Sequence, residues 1–86
     1  MRIRYHKSFD KKFLKLSHKL QAKCKERISL FLSDSFHSLL NNHGLQGKYA
    51  GCRSINVTGD YRAIYKLLTD DLVLFINVGT HPELYG

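Results

Sequence analysis

The sequence predicts an α+β fold of order β-α-α-β-β-β, with a helical hairpin packed on one face of an antiparallel sheet. Three observations predict it. Apolar residues between Ser8 and Ser33 recur at helical spacing, whereas those after Gly51 alternate. The alternating runs are joined by segments of a few residues. Parallel neighbours would need crossovers of a dozen or more residues, so these runs must pair antiparallel. The 86 residues are expected to form a single domain spanning 1–86 with a small core.

The elements follow in order. "RIRY" (2–5) alternates and reads as a first strand. Ser8 offers an N-cap for a first helix that places Phe9, Phe13 and Leu16 on one side, with lysines between them. A second helix runs from about Leu20 to Ser33. Leu20, Cys24, Ile28, Phe31 and Leu32 line one side; Lys19, Lys23, Lys25 and Glu26 line the other. Periodicity fades between Asp34 and Tyr49, where "NNHGLQG" reads as a turn. "CRSINV" (52–57), "YRAIYKLL" (61–68) and "LVLFINV" (72–78) read as three strands. "TGD" (58–60) supplies a three-residue hairpin loop and "TDD" (69–71) the next turn.

Strand parity predicts which side of the sheet is covered. With Ile55 and Val57 facing the core, Tyr61, Ala63, Tyr65 and Leu67 share their face. Leu72, Leu74, Ile76 and Val78 are expected there too. The opposite face would be open, carrying Ser54, Asn56, Arg62, Ile64, Lys66, Phe75 and Asn77. A one-residue slip would bury Arg62 and Lys66, at a large desolvation cost.

Fourteen Lys and Arg oppose seven Asp and Glu, for a net charge of +7. That balance favours a polyanion, usually RNA or DNA, although an acidic protein would also be drawn to it. No run approaches the roughly 18 apolar residues of a membrane helix. "MRIRYHKSFD" has no apolar signal region. Cys24 and Cys52 match no disulfide or metal spacing, so they read as reduced thiols and the expected location is cytoplasmic.

Three motifs in the second half carry a resemblance: "HGLQG" (43–47), "GDYRAIY" (59–65) and "VGTHPELYG" (78–86). With the order of elements, they make the chain similar to the RelE/ParE superfamily of bacterial toxins, and within it to the YafQ-like mRNA interferase branch. The resemblance implies a RelE-like fold and a toxin of a type II toxin–antitoxin system. It implies a metal-independent endoribonuclease, needing no cofactor, that cuts mRNA in the ribosomal A site. The implied partners are a cognate antitoxin protein, the ribosome and mRNA. Carried over by position, His43, Asp60, Tyr61, His81 and Tyr85 match functional positions of that branch. Asn56 stands where the branch has a histidine, and Asn77 where it has an arginine. Arg62 occupies the position of an arginine in the "YRxxY" pattern of RelE-like and YoeB-like members, which suggests a cation moved one strand over.

Such a site needs three helpers. A base takes the 2′-hydroxyl proton, an acid protonates the leaving 5′ oxygen, and a cation steadies the phosphate. Histidine serves both proton transfers because it titrates near neutrality. On this reading His81 is the general acid, His43 the base (the two roles could be exchanged) and Arg62 the phosphate clamp. Asp60 would orient a histidine or contact the RNA, or else serve the turn. Tyr85, with Tyr49, would stack on a base. Lys48, Arg53, Lys66, Asn56 and Asn77 complete the expected RNA contacts, although Arg53 shares the parity of Ile55 and could instead serve the sheet edge. Tyr61 and Tyr65 fit the core better. Two other functions compete: a catalytically silent relative that only binds an antitoxin, which the loss at Asn77 favours, and a ParE-like gyrase inhibitor, which the histidine pair disfavours.

Overall fold

In the computed structural model, which describes residues 1–86, the chain runs β1 (Arg2–Tyr5), α1 (Lys7–Leu14), α2 (His18–Ser33), β2 (His43–Gly44), β3 (Arg53–Thr58), β4 (Tyr61–Thr69), β5 (Leu72–Thr80) and α3 (His81–Tyr85). Short 3₁₀ turns fill Ser38–Leu40 and Gly47–Tyr49. His6, rather than Ser8, caps α1: its Nδ1 accepts the Ser8 amide at 3.1 Å. The Ser8 hydroxyl instead donates to the Ile76 carbonyl at 2.7 Å, tying α1 to β5. Ser17 caps α2 through the Leu20 amide at 3.2 Å.

The sheet order is β1-β5-β4-β3-β2. β2–β3, β3–β4 and β4–β5 are antiparallel. β1 departs from the antiparallel pattern by pairing parallel with β5, Ile3 opposite Val73. This is allowed because the whole helical hairpin intervenes and supplies the long crossover.

The hairpin covers one face. Phe9, Cys24, Ile28 and Phe31 pack on Ile55, Val57, Ala63, Tyr65, Val73, Phe75 and Val78. Phe31 meets Tyr65 and Phe75 edge-on, at 4.8 and 5.7 Å between ring centres. The expected parity of β3 and β4 holds as far as Tyr65, beyond which Leu67 is exposed past the edge of the helical layer; that of β5 does not. A register shift sets Ile64 opposite Asn77 but Tyr65 opposite Phe75, so Ile76 is an extra residue in β5. Below the bulge, Val73 and Phe75 therefore turn inward in place of Leu72 and Leu74. Phe75, expected on the open face, is fully buried. Its ring fills the space beneath both helices, and burying such a side chain is worth about 1.5–3 kcal/mol.

Two further expectations change. Thr58 pairs directly with Tyr61, so the hairpin loop is Gly59-Asp60, with Val57 as a bulge and Gly59 at φ +52°. The face expected to be open is also partly roofed. Cys52, Ile64 and Leu84 form a second small core there, flanked by Leu45, Tyr49, Ile76 and Tyr85.

Candidate active site

Strand register builds the outer face in rows. His43, Ser54, Ile64 and Asn77 lie side by side across β2, β3, β4 and β5. The next row holds Asn56, Arg62 and Gly79. β5 then ends at Thr80, whose hydroxyl accepts the Glu83 amide while the Glu83 carboxylate accepts the Thr80 amide at 2.8 Å. This reciprocal cap turns the chain into α3. The Thr80 amide and hydroxyl, with a smaller contribution from Lys12, hold the Glu83 carboxyl below its ordinary pKa.

α3 folds back from β5 over β4, and Leu84 reaches Cys52 at the head of β3. His81 and Tyr85 stand one turn apart, ring centres 4.6 Å from each other. Tyr85 meets the edge of Tyr49 at 5.5 Å and nearly perpendicular. Tyr49 is held by Asn77, whose Nδ2 donates to its hydroxyl at 3.3 Å. Lys48 lies over the Tyr49 ring at 5.5 Å and donates to the Leu84 carbonyl at 3.4 Å. The Arg62 guanidinium bends toward the hairpin turn, its Nη1 donating to the Gly59 and Tyr61 carbonyls at 2.8 and 3.0 Å. Burial, and then the neighbouring Tyr49, push the Tyr85 phenol above its ordinary pKa, while the charge of Arg62 pulls it back. His81 therefore borders Tyr85 directly, while Arg62 acts on it only through its charge.

His43 shares the outer face but sits on the edge strand. Three strand spacings separate it from β5, about 14 Å between α-carbons. Its Nδ1 lies 2.8 Å from the Asn41 carbonyl. A carbonyl only accepts, so Nδ1 carries the hydrogen, and the neutral ring keeps a free lone pair on Nε2. His81 is exposed, at the first turn of α3.

The remaining sequence candidates divide. Asn56 pairs with Arg62, and its Oδ1 is buried without a hydrogen-bond partner. Asp60 is exposed in the hairpin turn, and Lys66 is exposed further along β4, opposite Leu74. Asn77 holds Tyr49. Arg53 does not join the group: it pairs with Tyr65 in the row that faces the helices, and its Nε donates to Asn42 at 2.9 Å. Asn42 and Leu84 were not singled out by sequence. Thr80 and Glu83 were not singled out either, although their T-x-x-E spacing is a signal that would have found them.

The two main grooves lie elsewhere. One, of about 190 Å³, is lined by Tyr5, Phe9, Asp10, Phe13, Lys25 and Ile28. The other, of about 340 Å³, lies between Lys12, Lys15, Ser17, Tyr61 and Glu83. Neither contains His43, Arg62 or His81, so the site is a shallow face that suits a polymer better than an enclosed small molecule. No three His, Cys, Asp or Glu side chains gather as a metal set. No helix is long and apolar enough to cross a membrane.

Comparison with known proteins gives consistent matches. Residues 1–86 match the family described as bacterial toxin of type II toxin–antitoxin system, YafQ. The mRNA interferase toxin YafQ of Escherichia coli K12 is 36% identical over 81 residues, covering 92% of this chain and 87% of that protein. The crystal structure of YafQ from E. coli BL21(DE3) superposes with a TM-score of 0.81 at 32% identity, over 99% of this chain and 98% of that one. A crystal structure of the E. coli DinJ–YafQ complex matches with a TM-score of 0.79 at 34% identity, over the same shares of both chains.

Proposed function

The chain belongs to the YafQ family of bacterial type II toxin–antitoxin toxins and is an mRNA interferase; we propose that residues 1–86 act as one toxin domain that cuts mRNA in the ribosomal A site through the RNA's own 2′-hydroxyl. One observation supports the site assignment: the ring of His81 packs on Tyr85 over the face not covered by α1 and α2, and strand register puts Arg62 on that same face, opposite Gly79.

Cleavage would run as follows. Nε2 of His43 takes the 2′-hydroxyl proton, and the 2′ oxygen forms a bond to phosphorus. The bond from phosphorus to the 5′ oxygen breaks, and protonated His81 gives that oxygen its proton. The products are a 2′,3′-cyclic phosphate and a 5′-hydroxyl, so the two histidines end with their protonation exchanged. Each proton transfer is worth roughly 10²–10⁴ in rate. Arg62 spends Nη1 on backbone carbonyls, which leaves Nη2 and Nε for two phosphate oxygens. Tyr85 and Tyr49 offer ring surface to an unpaired base. Lys48, Lys66 and Asn56 border the RNA path, and Asp60 lies within the same hairpin as Arg62. α3 starts at His81 and carries Tyr85 and Leu84 toward β3, so RNA would have to be strung across the outer face to meet both histidines.

E. coli YafQ is held by DinJ in the similar complex, and here an antitoxin is the expected silencing partner. The ribosome would supply substrate positioning that this shallow face lacks, in the cytoplasm where mRNA is translated. Mapping mRNA 5′ ends in cells expressing the wild type, His81→Ala and Arg62→Ala tests this. Cuts at in-frame positions should appear with the wild type and fall about 100-fold or more in either variant. Undiminished growth arrest and cutting by both variants would overturn the assignment. DNA damage without mRNA cuts would point to gyrase, and antitoxin binding without cuts to a silent relative.

A further inference from the structure

Of five histidines, three have Nδ1 engaged locally, and only one in the sense a base requires. His6 and His37 accept backbone amides on Nδ1, from Ser8 and Leu39 at 3.1 Å each. In a neutral ring that places the hydrogen on Nε2. His43 is reversed: Nδ1 donates to the Asn41 carbonyl and Nε2 is left open. This polarity depends on a two-residue strand at the sheet edge and on Asn41, which is held in the left-handed region at φ +44°. Neither feature is stable alone, so something must hold the segment.

The holding element is the side chain of Asn42. Its Nδ2 donates to the Ser35 carbonyl at 2.8 Å and to the Tyr65 hydroxyl at 2.9 Å. Its Oδ1 lies 2.9 Å from Arg53 Nε and 3.1 Å from the Tyr65 hydroxyl. Arg53 Nη2 reaches the Asn42 main-chain carbonyl at 3.4 Å, and the guanidinium lies over the Phe36 ring at 5.5 Å. Tyr65 is itself only 4% exposed and packed on Phe31 and Phe75. A connected chain of contacts thus runs from the main core, through a hydroxyl and an amide, to Asn42, the residue between the two ends of the His43 ring bond.

We infer that Arg53, Asn42 and Tyr65 are positioning residues that clamp the Asn41–His43 segment, so that His43 is kept as the Nδ1–H tautomer with Nε2 available to take a proton. Arg53, a candidate RNA contact by sequence, has a different task. Its charge is used inward, on the amide that sets the base. The inference rests on the reading of His43 as the base. Misplacing a reacting group by about 1 Å can cost on the order of 10²-fold in rate, so the clamp acts on kcat rather than on binding.

The test uses the full chain. Imidazole ¹⁵N shifts report the His43 tautomer, and cleavage on translating ribosomes reports kcat and KM. In Asn42→Ala and Tyr65→Phe, the His43 resonances should move from a single Nδ1–H form to a mixture. In the same variants kcat should fall about 10- to 100-fold, with KM within about 2-fold. Arg53→Lys keeps a donor and should recover more activity than Arg53→Leu. The clamp is overturned if the His43 tautomer is unchanged in Asn42→Ala, or if it changes while kcat holds and His43→Gln is inactive. Full activity of His43→Gln would instead remove the base assignment, and the tautomer measurement would still decide whether the clamp exists.

Discussion

Truncating Leu84 to alanine is predicted to undock the C-terminal helix while the sheet stays folded. α3 has only five residues, far below the length at which a helix persists alone. Its anchor is Leu84, which is fully buried against Cys52 and Ile64. The substitution removes three carbon groups, about 0.8 kcal/mol each in transfer, and leaves a cavity, for about 3 kcal/mol in all. What remains is one edge-on tyrosine contact, worth about 0.5–1.5 kcal/mol, the long Lys48 hydrogen bond to the residue-84 carbonyl at 3.4 Å, and one cap, worth about 1 kcal/mol. Losing about 3 kcal/mol lowers the docking equilibrium roughly 100-fold. His81 and Tyr85 leave with the helix, so cleavage should fall in proportion to the docked fraction that remains, by at most about that factor. Amide exchange locates the effect: the amides of Leu84, Tyr85 and Gly86 should lose protection, while those of β4 and β5 keep theirs. Ile28→Ala is the control, since Ile28 is nearly buried in the main core on the opposite face. It should lower Tm by about 4–8 °C for each kcal/mol lost and leave cleavage per folded molecule intact. Wild-type cleavage by Leu84→Ala with its tail amides still protected would refute the reasoning, as would loss of protection in α3, β4 and β5 together.

Three more predictions follow from the same geometry. Arg62 and Asn77 are diagonal neighbours on adjacent strands, about 7–8 Å apart at the backbone; in Arg62→Ala, adding Asn77→Arg should recover at least about 10-fold of the lost cleavage, and no recovery would show that the cation's strand matters. Glu83 has a lowered pKa in the folded chain, so its contribution to the α3 cap is complete above the ordinary glutamate pKa and is lost as pH falls through the lowered value; the Thr80 amide shift should titrate in that acid range in the wild type and stay flat in Glu83→Gln. Burial pushes the Cys24 thiol up to about 11, so at pH 8 it should resist alkylation by iodoacetamide until the protein is unfolded, and rapid labelling of the native chain would contradict that placement.

The sequence by itself determined the order of the main elements, the two-helix layer and the antiparallel meander, but neither the two-residue β2, which reads as a turn, nor α3. It could do so because these rest on local periodicity, short loops and the cost of burying Arg62 or Lys66. The motifs around His43, Arg62 and His81 were likewise legible, since each lies within a few residues of a turn or strand end. The inward face of β5 was not. "LVLFINV" is apolar at nearly every position, so either parity buries similar area, and only the space beneath Phe9 and Phe31 decided that Phe75 goes in and Ile76 becomes the bulge. The parallel pairing of β1 with β5 was hidden for a related reason: partners about 70 positions apart leave no local trace. The task of Arg53 was decided last of all. A guanidinium on a strand edge can turn toward solvent or back into the fold, and the amide of Asn42, brought beside it by the β2–β3 pairing and held by the Tyr65 hydroxyl, draws it inward.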